Sequence, residues 1–232
     1  MTMLGKVRPV ERRSLETRAT DALREAIIGR RYAPGDRLTE TQLSELLGIS
    51  RGTVRSALHK LLAEGLLAQR PYAAWEVVGL TRQDAWELFT LRSALEGLAA
   101  ELVAEGLGDG RLAAAGIEAA FAALAAACDA GDGAAADEAD FAFHKAVVAI
   151  SGHGRLLTQY ERVEAQLRML IVVANEAPRA TTRLVAEHRP LLEVLASGDG
   201  ARAAAAFRAH ARHAGEATLA RMRVDAAARD RL

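Results

Sequence analysis

The stretch Leu43 to Leu58 (LSELLGISRGTVRSAL) constrains this chain more than any other. Its spacing predicts a short helix, a tight turn at Gly48 and a second helix that opens at Ser50. Gly48 supplies the positive φ that a sharp inter-helix turn requires. Ser50 can cap the second helix by accepting a bond from a free backbone N–H. Arg51 and Arg55 stand four apart, so they project from one face of its first turns. In a helix-turn-helix those turns reach the base edges of the major groove, and arginine reads guanine or holds phosphate. The plainer alternative is a helical hairpin whose arginines are merely solvated.

The flanking text favours the first reading. Leu43, Leu46, Leu47, Ile49, Val54, Leu58, Leu61 and Leu62 provide apolar spacing for two short helices packed on a third. That third helix is predicted over Thr17 to Gly29, with Ala22, Leu23, Ala26 and Ile27 inward. After Gly65, the runs Leu66 to Gln69 and Trp75 to Val78 read as strands around a turn at 70–74, which makes the motif winged. Arg70, beside that turn, is positioned to touch phosphate.

These pieces resemble the DNA-binding domain of the GntR family of bacterial regulators. Tyr32 to Leu38 (YAPGDRL) is similar to the family's "PG..L" lead-in. Leu43 to Leu58 is similar to its "LSE.LGVSR.PVR.AL" core, and Leu61 to Leu67 to its "L..EGL" exit. The resemblance implies that Ser50, Arg51, Gly52, Thr53 and Arg55 face DNA, with Arg37 and Arg70 beside them. Thr53 stands where the family often has proline. The wing tip Tyr72-Ala73-Ala74-Trp75 lacks the family's usual glycine and polar pair.

The chain has 232 residues, room for two domains. Its charge balance is zero overall but uneven. Residues 1–78 hold 13 Lys and Arg against 9 Asp and Glu; the rest hold 17 against 21. A basic front and an acidic back suit a DNA-binding module joined to a second domain of another kind. The lone cysteine, Cys128, excludes an internal disulfide and reads as a small buried residue. No apolar run is long enough to span a membrane and Met1 to Ser14 is no secretory signal, so a cytoplasmic protein is expected. The expected organisation is a flexible arm 1–14, a winged helix-turn-helix 15–78, a linker 79–81, a helical domain 82–225 and a tail 226–232.

From Thr81 onward the text is helical, with helices predicted near 82–106, 110–129, 134–150, 154–173, 180–197 and 201–224, broken by Gly and Asp. This predicts an antiparallel bundle and a mainly α protein. Trp86, Phe89, Leu95 and Leu98 are expected in its core. Asp140 and His144 share a helix face, and His188 and His210 follow on later helices. Converging, they would form an N/O metal site; separately, they read as hydrogen-bonded core residues. Pro190, two residues after His188, kinks the helix that carries it.

The second domain resembles the FCD effector-binding type of the FadR-like branch. Arg92 to Glu96 is similar to its "R..LE", Asp140 to His144 to its "D..FH", and Glu187-His188, Gly198-Asp199 and His210 to its closing "EH…GD…H". The resemblance implies that Asp140, His144, His188 and His210 hold a divalent metal: zinc, or else nickel, manganese or iron. The last ligand place falls to His210 rather than His213. His153 and His59 read as surface residues. A small carboxylate effector could complete the metal's shell, clamped by Arg92, with Arg168 a second candidate. Arg92 could equally pair with Glu96 one turn on. The expected protein is a ligand-responsive transcriptional regulator, a repressor, that binds a pseudo-palindromic duplex as a homodimer. The rival readings are a metal that only stiffens the bundle, a second domain that only dimerises, and a metal enzyme fused to a DNA binder; no general-base partner for the last is found.

Overall fold

Ser14 begins the first helix because its hydroxyl accepts from the Thr17 N–H at 3.1 Å. The computed structural model describes residues 14–70, 74–174 and 181–229. Contacts divide the chain into two units, one up to Gly79 and one from Leu80.

In the first unit, helices α1 (Leu15–Ile28), α2 (Glu40–Leu47) and α3 (Arg51–Ala63) pack together. Gly48 has φ 65°, the left-handed turn required between α2 and α3. Ser50 caps α3, accepting from Thr53 N–H at 3.2 Å. Val54, Ala57, Leu58 and Leu61 are fully buried under α1 residues such as Leu23 and Ile27. Truncating one such leucine costs about 2–5 kcal/mol. Arg24 fastens α1 to the end of α3 through both oxygens of Glu64, at 2.7 Å each. Strands β1 (Arg37–Leu38), β2 (Leu67–Arg70) and β3 (Ala74–Val77) form an antiparallel sheet in the order β1-β3-β2. Leu67 pairs with Val77, and Leu38 with Trp75. The short β1 is absent from the sequence reading, because two residues carry no alternation to detect.

Two expected core positions of this unit are corrected. Leu46 is 70% exposed, and Ala22 is also exposed. Helix α2 spans two turns and turns Leu43 inward, which leaves Leu46 off the packed face.

The second unit is helical throughout its described residues: α4 (Arg82–Gly108), α5 (Ala115–Asp129), α6 (Gly133–Ile150), α7 (Gly154–Ala174), α8 (Thr181–Ala196) and α9 (Gly200–Arg229). A capping box starts α4: Thr81 and Asp84 each bond the other's backbone N–H. Asp199 starts α9, its Oδ1 accepting from Arg202 N–H at 2.9 Å. His153, exposed as expected, accepts from Leu156 N–H at 3.2 Å where α7 begins. Ala99, Val103, Phe143, Val147, Leu195 and Phe207 form the main core. Phe89, Phe141, Leu167 and Leu170 form a second one. Cys128 is buried.

The expected stripe on α4 is corrected. Phe89 is buried, but Trp86 is 53% and Leu98 39% exposed. At 3.6 residues per turn, Leu98 lies half a turn round the helix from Phe89. The buried face runs instead through Ala85, Phe89, Arg92, Glu96, Ala99 and Val103.

Candidate metal centre and nucleic-acid interface

The polar residues buried in the second unit gather at one place. Asp140 and His144 come from α6, one turn apart; His188 comes from α8 and His210 from α9. One ligand atom from each lies within 4.8 Å of the others. Asp140 Oδ1 is 2.6 Å from His188 Nε2 and 3.9 Å from His144 Nε2. The two Nε2 atoms are 3.1 Å apart. The His210 ring lies 5.0 Å from that of His144 and 4.6 Å from that of His188, centre to centre. Phe143 presses against both His144 and His188. His213, three residues from His210, is exposed. Helix α8 continues through Pro190, and His188 is fully buried within the cluster.

The far side of each ring determines what it offers. His188 Nδ1 is 2.8 Å from the Leu184 carbonyl, which can only accept, so Nδ1 carries the proton. His144 Nδ1 is 3.0 Å from Glu96 Oε2. On their inner sides the Nε2 atoms of both rings face each other and Asp140. Burial pushes the His144 imidazole below its usual range; it pushes His210 down to about 2, with His144 and His188 adding to the effect. Burial opposes the Asp140 charge, but His188, His144 and Arg92 outweigh it and keep the carboxyl well below the carboxylate range.

A carboxylate and three imidazoles packed this closely, out of water, suit a cation among them. Three imidazole nitrogens and one carboxylate are the donor set of a zinc-like divalent ion, and bonds of about 2.1 Å would set tetrahedral ligand atoms roughly 3.4 Å apart. The residues therefore fit a metal.

Glu96 borders the cluster. Its Oε1 accepts from Arg92 Nε at 2.6 Å and from Tyr160 O–H at 2.9 Å. Both residues are fully buried. Burial opposes the Arg92 charge, but Glu96, Tyr160 and Asp140 outweigh it and raise its pKa. Arg92 Nη2 is buried with no hydrogen-bond partner among the described residues. An unmatched buried donor is costly. Arg92 thus makes the pair with Glu96 and keeps a donor free. Arg168 engages Glu138 and Glu164 instead, with 26% of its side chain exposed. Both guanidinium groups lie against Phe141, at 5.8 and 5.7 Å from its ring centre.

In the first unit, Ser50, Arg51, Gly52 and Arg55 are exposed at the start of α3, and Thr53 is half-buried. A side chain at Gly52 would meet little beyond Ser50 Oγ at 3.8 Å. Arg37 is exposed on β1. The Arg70 side chain and the wing tip 71–73 lie outside the described residues, as do the arm 1–13 and the residues 230–232 of the tail. Arg55 is not solitary. Its Nε and Nη2 donate to the two oxygens of Glu40, both at 2.8 Å. Glu40, Glu96 as a partner of His144, and Tyr160 are missing from the sequence reading. Glu40 stands fifteen residues and a turn from Arg55, a separation with no periodic signature. His59 is exposed and meets Trp75 edge-on at 4.9 Å.

Residues 15–77 match the bacterial regulatory proteins of the gntR family, and residues 87–213 match the FCD domain. Over 81 residues the chain is 37% identical to an uncharacterized HTH-type transcriptional regulator, YdhC, of Bacillus subtilis; that match covers 35% of this chain and 36% of that protein. It is 28% identical over 165 residues, 71% of each chain, to the "Probable D-xylose utilization operon transcriptional repressor" of Paenarthrobacter nicotinovorans. In fold it is similar to a GntR transcriptional regulator from Rhodococcus sp. RHA1, with TM-score 0.75 and 24% identity over 88% of this chain and 97% of that one. Among the described residues no helix is long and apolar enough to cross a membrane. The chain belongs to the GntR family of bacterial regulatory proteins, its second unit is an FCD domain, and it is a DNA-binding transcriptional regulator.

Proposed function

We propose that this regulator is a cytoplasmic homodimeric repressor whose FCD domain holds a divalent metal through Asp140, His144, His188 and His210 and senses a small carboxylate. One observation carries the reading: a carboxylate oxygen and three imidazole nitrogens from three helices converge within 4.8 Å beside a buried arginine with an N–H that meets no acceptor among the described residues. The ion would supply a Lewis-acidic positive charge for the effector's carboxylate. Arg92 Nη2 would hold an oxygen of that carboxylate, while Arg92 Nε stays on Glu96. Arg168, engaged by Glu138 and also lying against Phe141, is the lesser clamp.

At the other unit, Arg51 and Arg55 would read base edges, Ser50, Gly52 and Thr53 would approach the backbone at the start of α3, and Arg37 and Arg70 would touch phosphate. A homodimer would present two α3 helices to successive major grooves of a pseudo-palindrome. The exposed Trp86, Leu91 and Leu98 on α4 suit a second copy of the chain. The repressor mode follows the relative of that description. The effector changes DNA affinity only by binding two arrangements of the protein unequally.

Thermal melting against a panel of small carboxylic acids, with and without chelator, tests this. A folded-state ligand raises the midpoint by mass action. The expected result is a hit that chelator abolishes, and one bound zinc per chain that His144→Ala loses. Full zinc content in His144→Ala would refute the ligand set. A large drop on chelation with no acid ever binding would leave the metal a purely structural part.

A further inference from the structure

The buried carboxylate of Glu96 has two ends with different surroundings. Oε1 receives two donors, Arg92 Nε–H and Tyr160 O–H. Oε2 has no aligned hydrogen bond, and the same holds for His144 Nδ1. These two atoms face each other at 3.0 Å, with both residues almost wholly buried. The Arg92 guanidinium pairs with Glu96 at 2.6 Å, and a side chain that only donates and carries a positive charge calls for a carboxylate opposite it. A carboxylate oxygen and a bare nitrogen lone pair at that distance would repel without water to intervene. The proton must lie on Nδ1.

We propose that Glu96 is the positioning residue of the metal centre: it selects the His144 tautomer whose Nε2 lone pair faces Asp140 and His188. This rests on the metal reading above and deepens it. Metal-bound histidines commonly donate their other ring N–H to a carboxylate or carbonyl, which fixes tautomer and ring angle. His188 uses the Leu184 carbonyl for that purpose, from its own helix. His144 uses a side chain from a different helix, α4, and that side chain also grips Arg92. Glu96 therefore ties the metal-facing ring to the arginine proposed for the effector, so that a movement of one is felt by the other.

Glu96→Gln exposes this dependence at nearly constant volume. Its one carbonyl must remain with Arg92 and Tyr160, because both donate. The amide NH2 is then turned to His144 Nδ1, which can pair with it only as an acceptor. The proton moves to Nε2, the atom that has to ligate.

The first test is nitrogen-15 NMR of the histidine rings in metal-free protein. Wild type should show His144 protonated at Nδ1, and Glu96→Gln should show it protonated at Nε2. The second is zinc affinity by competition with a chromophoric chelator. Glu96→Gln should bind zinc about 10–100-fold more weakly. Tyr160→Phe removes a partner of the same carboxylate but not its charge, and should keep both the tautomer and the zinc affinity. A wild-type His144 protonated at Nε2 would overturn the proposal, even if Glu96→Gln does not fold. So would a folded Glu96→Gln with unchanged tautomer and affinity. Equal losses in Tyr160→Phe would make Glu96 a packing element only. Wild type that binds no zinc while the tautomers behave as described would sink the metal reading and leave the positioning role standing.

Discussion

Two arginine–glutamate pairs, one in each unit, show opposite uses of the same chemistry. Arg55 meets Glu40 on the surface of the helix-turn-helix, with its side chain 58% exposed. Arg92 meets Glu96 inside the bundle, with the two side chains 2% and 1% exposed. An exposed pair is weakly held because water and salt screen it and serve both partners almost as well. On the proposed reading, DNA would take the place of Glu40 at little cost. The inner pair has no water to replace a lost partner, so it keeps its geometry and can hold a donor ready. The surface pair suits a contact that is made and broken, the buried pair a permanent frame for a site.

The largest difference should appear on truncating each arginine. Arg92→Ala leaves the Glu96 carboxylate buried without its positive partner and should lower unfolding stability by about 3–5 kcal/mol in urea titrations. Arg55→Ala should leave that stability unchanged. Equal effects would erase the distinction drawn between the pairs.

Acid should separate the units next. In metal-free protein, burial keeps His144 and His210 neutral below their ordinary value of 6.5. In the unfolded chain these rings take up protons as the pH falls through about 6.5, while the folded ones do not. Stability should thus be level above about pH 7.5 and decline as the pH drops toward about 4, where the depressed carboxylates Glu96 and Asp140 steepen the loss. His144→Phe together with His210→Phe should flatten the upper part of that curve; an unaltered curve would assign the decline elsewhere.

DNA binding reverses the ranking. Arg51→Ala or Arg55→Ala should weaken operator affinity about tenfold to a hundredfold and relax base preference at one position, as read by titration against operator variants. A uniform loss over all sequences would make them phosphate contacts. The smallest effect belongs to Glu40→Ala. Melting should not move, while the salt dependence of DNA binding changes because Arg55 is no longer partly neutralised.

What could be read in advance follows the range of the interactions. Gly48 and Ser50 act within three or four residues, and each sits where its spacing placed it. Asp140 and His144 share a face because a helix brings i and i+4 together. The errors on α2 and α4, Leu46, Trp86 and Leu98, arise where a helix has apolar residues on more than one side. Spacing alone does not say which side meets a neighbour.

By itself the sequence determined the helix-turn-helix, the helical second unit and the four candidate ligands, because caps, turns and helical periods are local and chemical type is written in the chain. Tertiary structure alone decided that α6, α8 and α9 bring those ligands within 4.8 Å, that Glu96 stands behind His144, and that Glu40 holds Arg55. Those pairs join residues dozens of positions apart or across a turn. Only the packing of helices, set by volume and burial over the whole core, can bring such distant residues together.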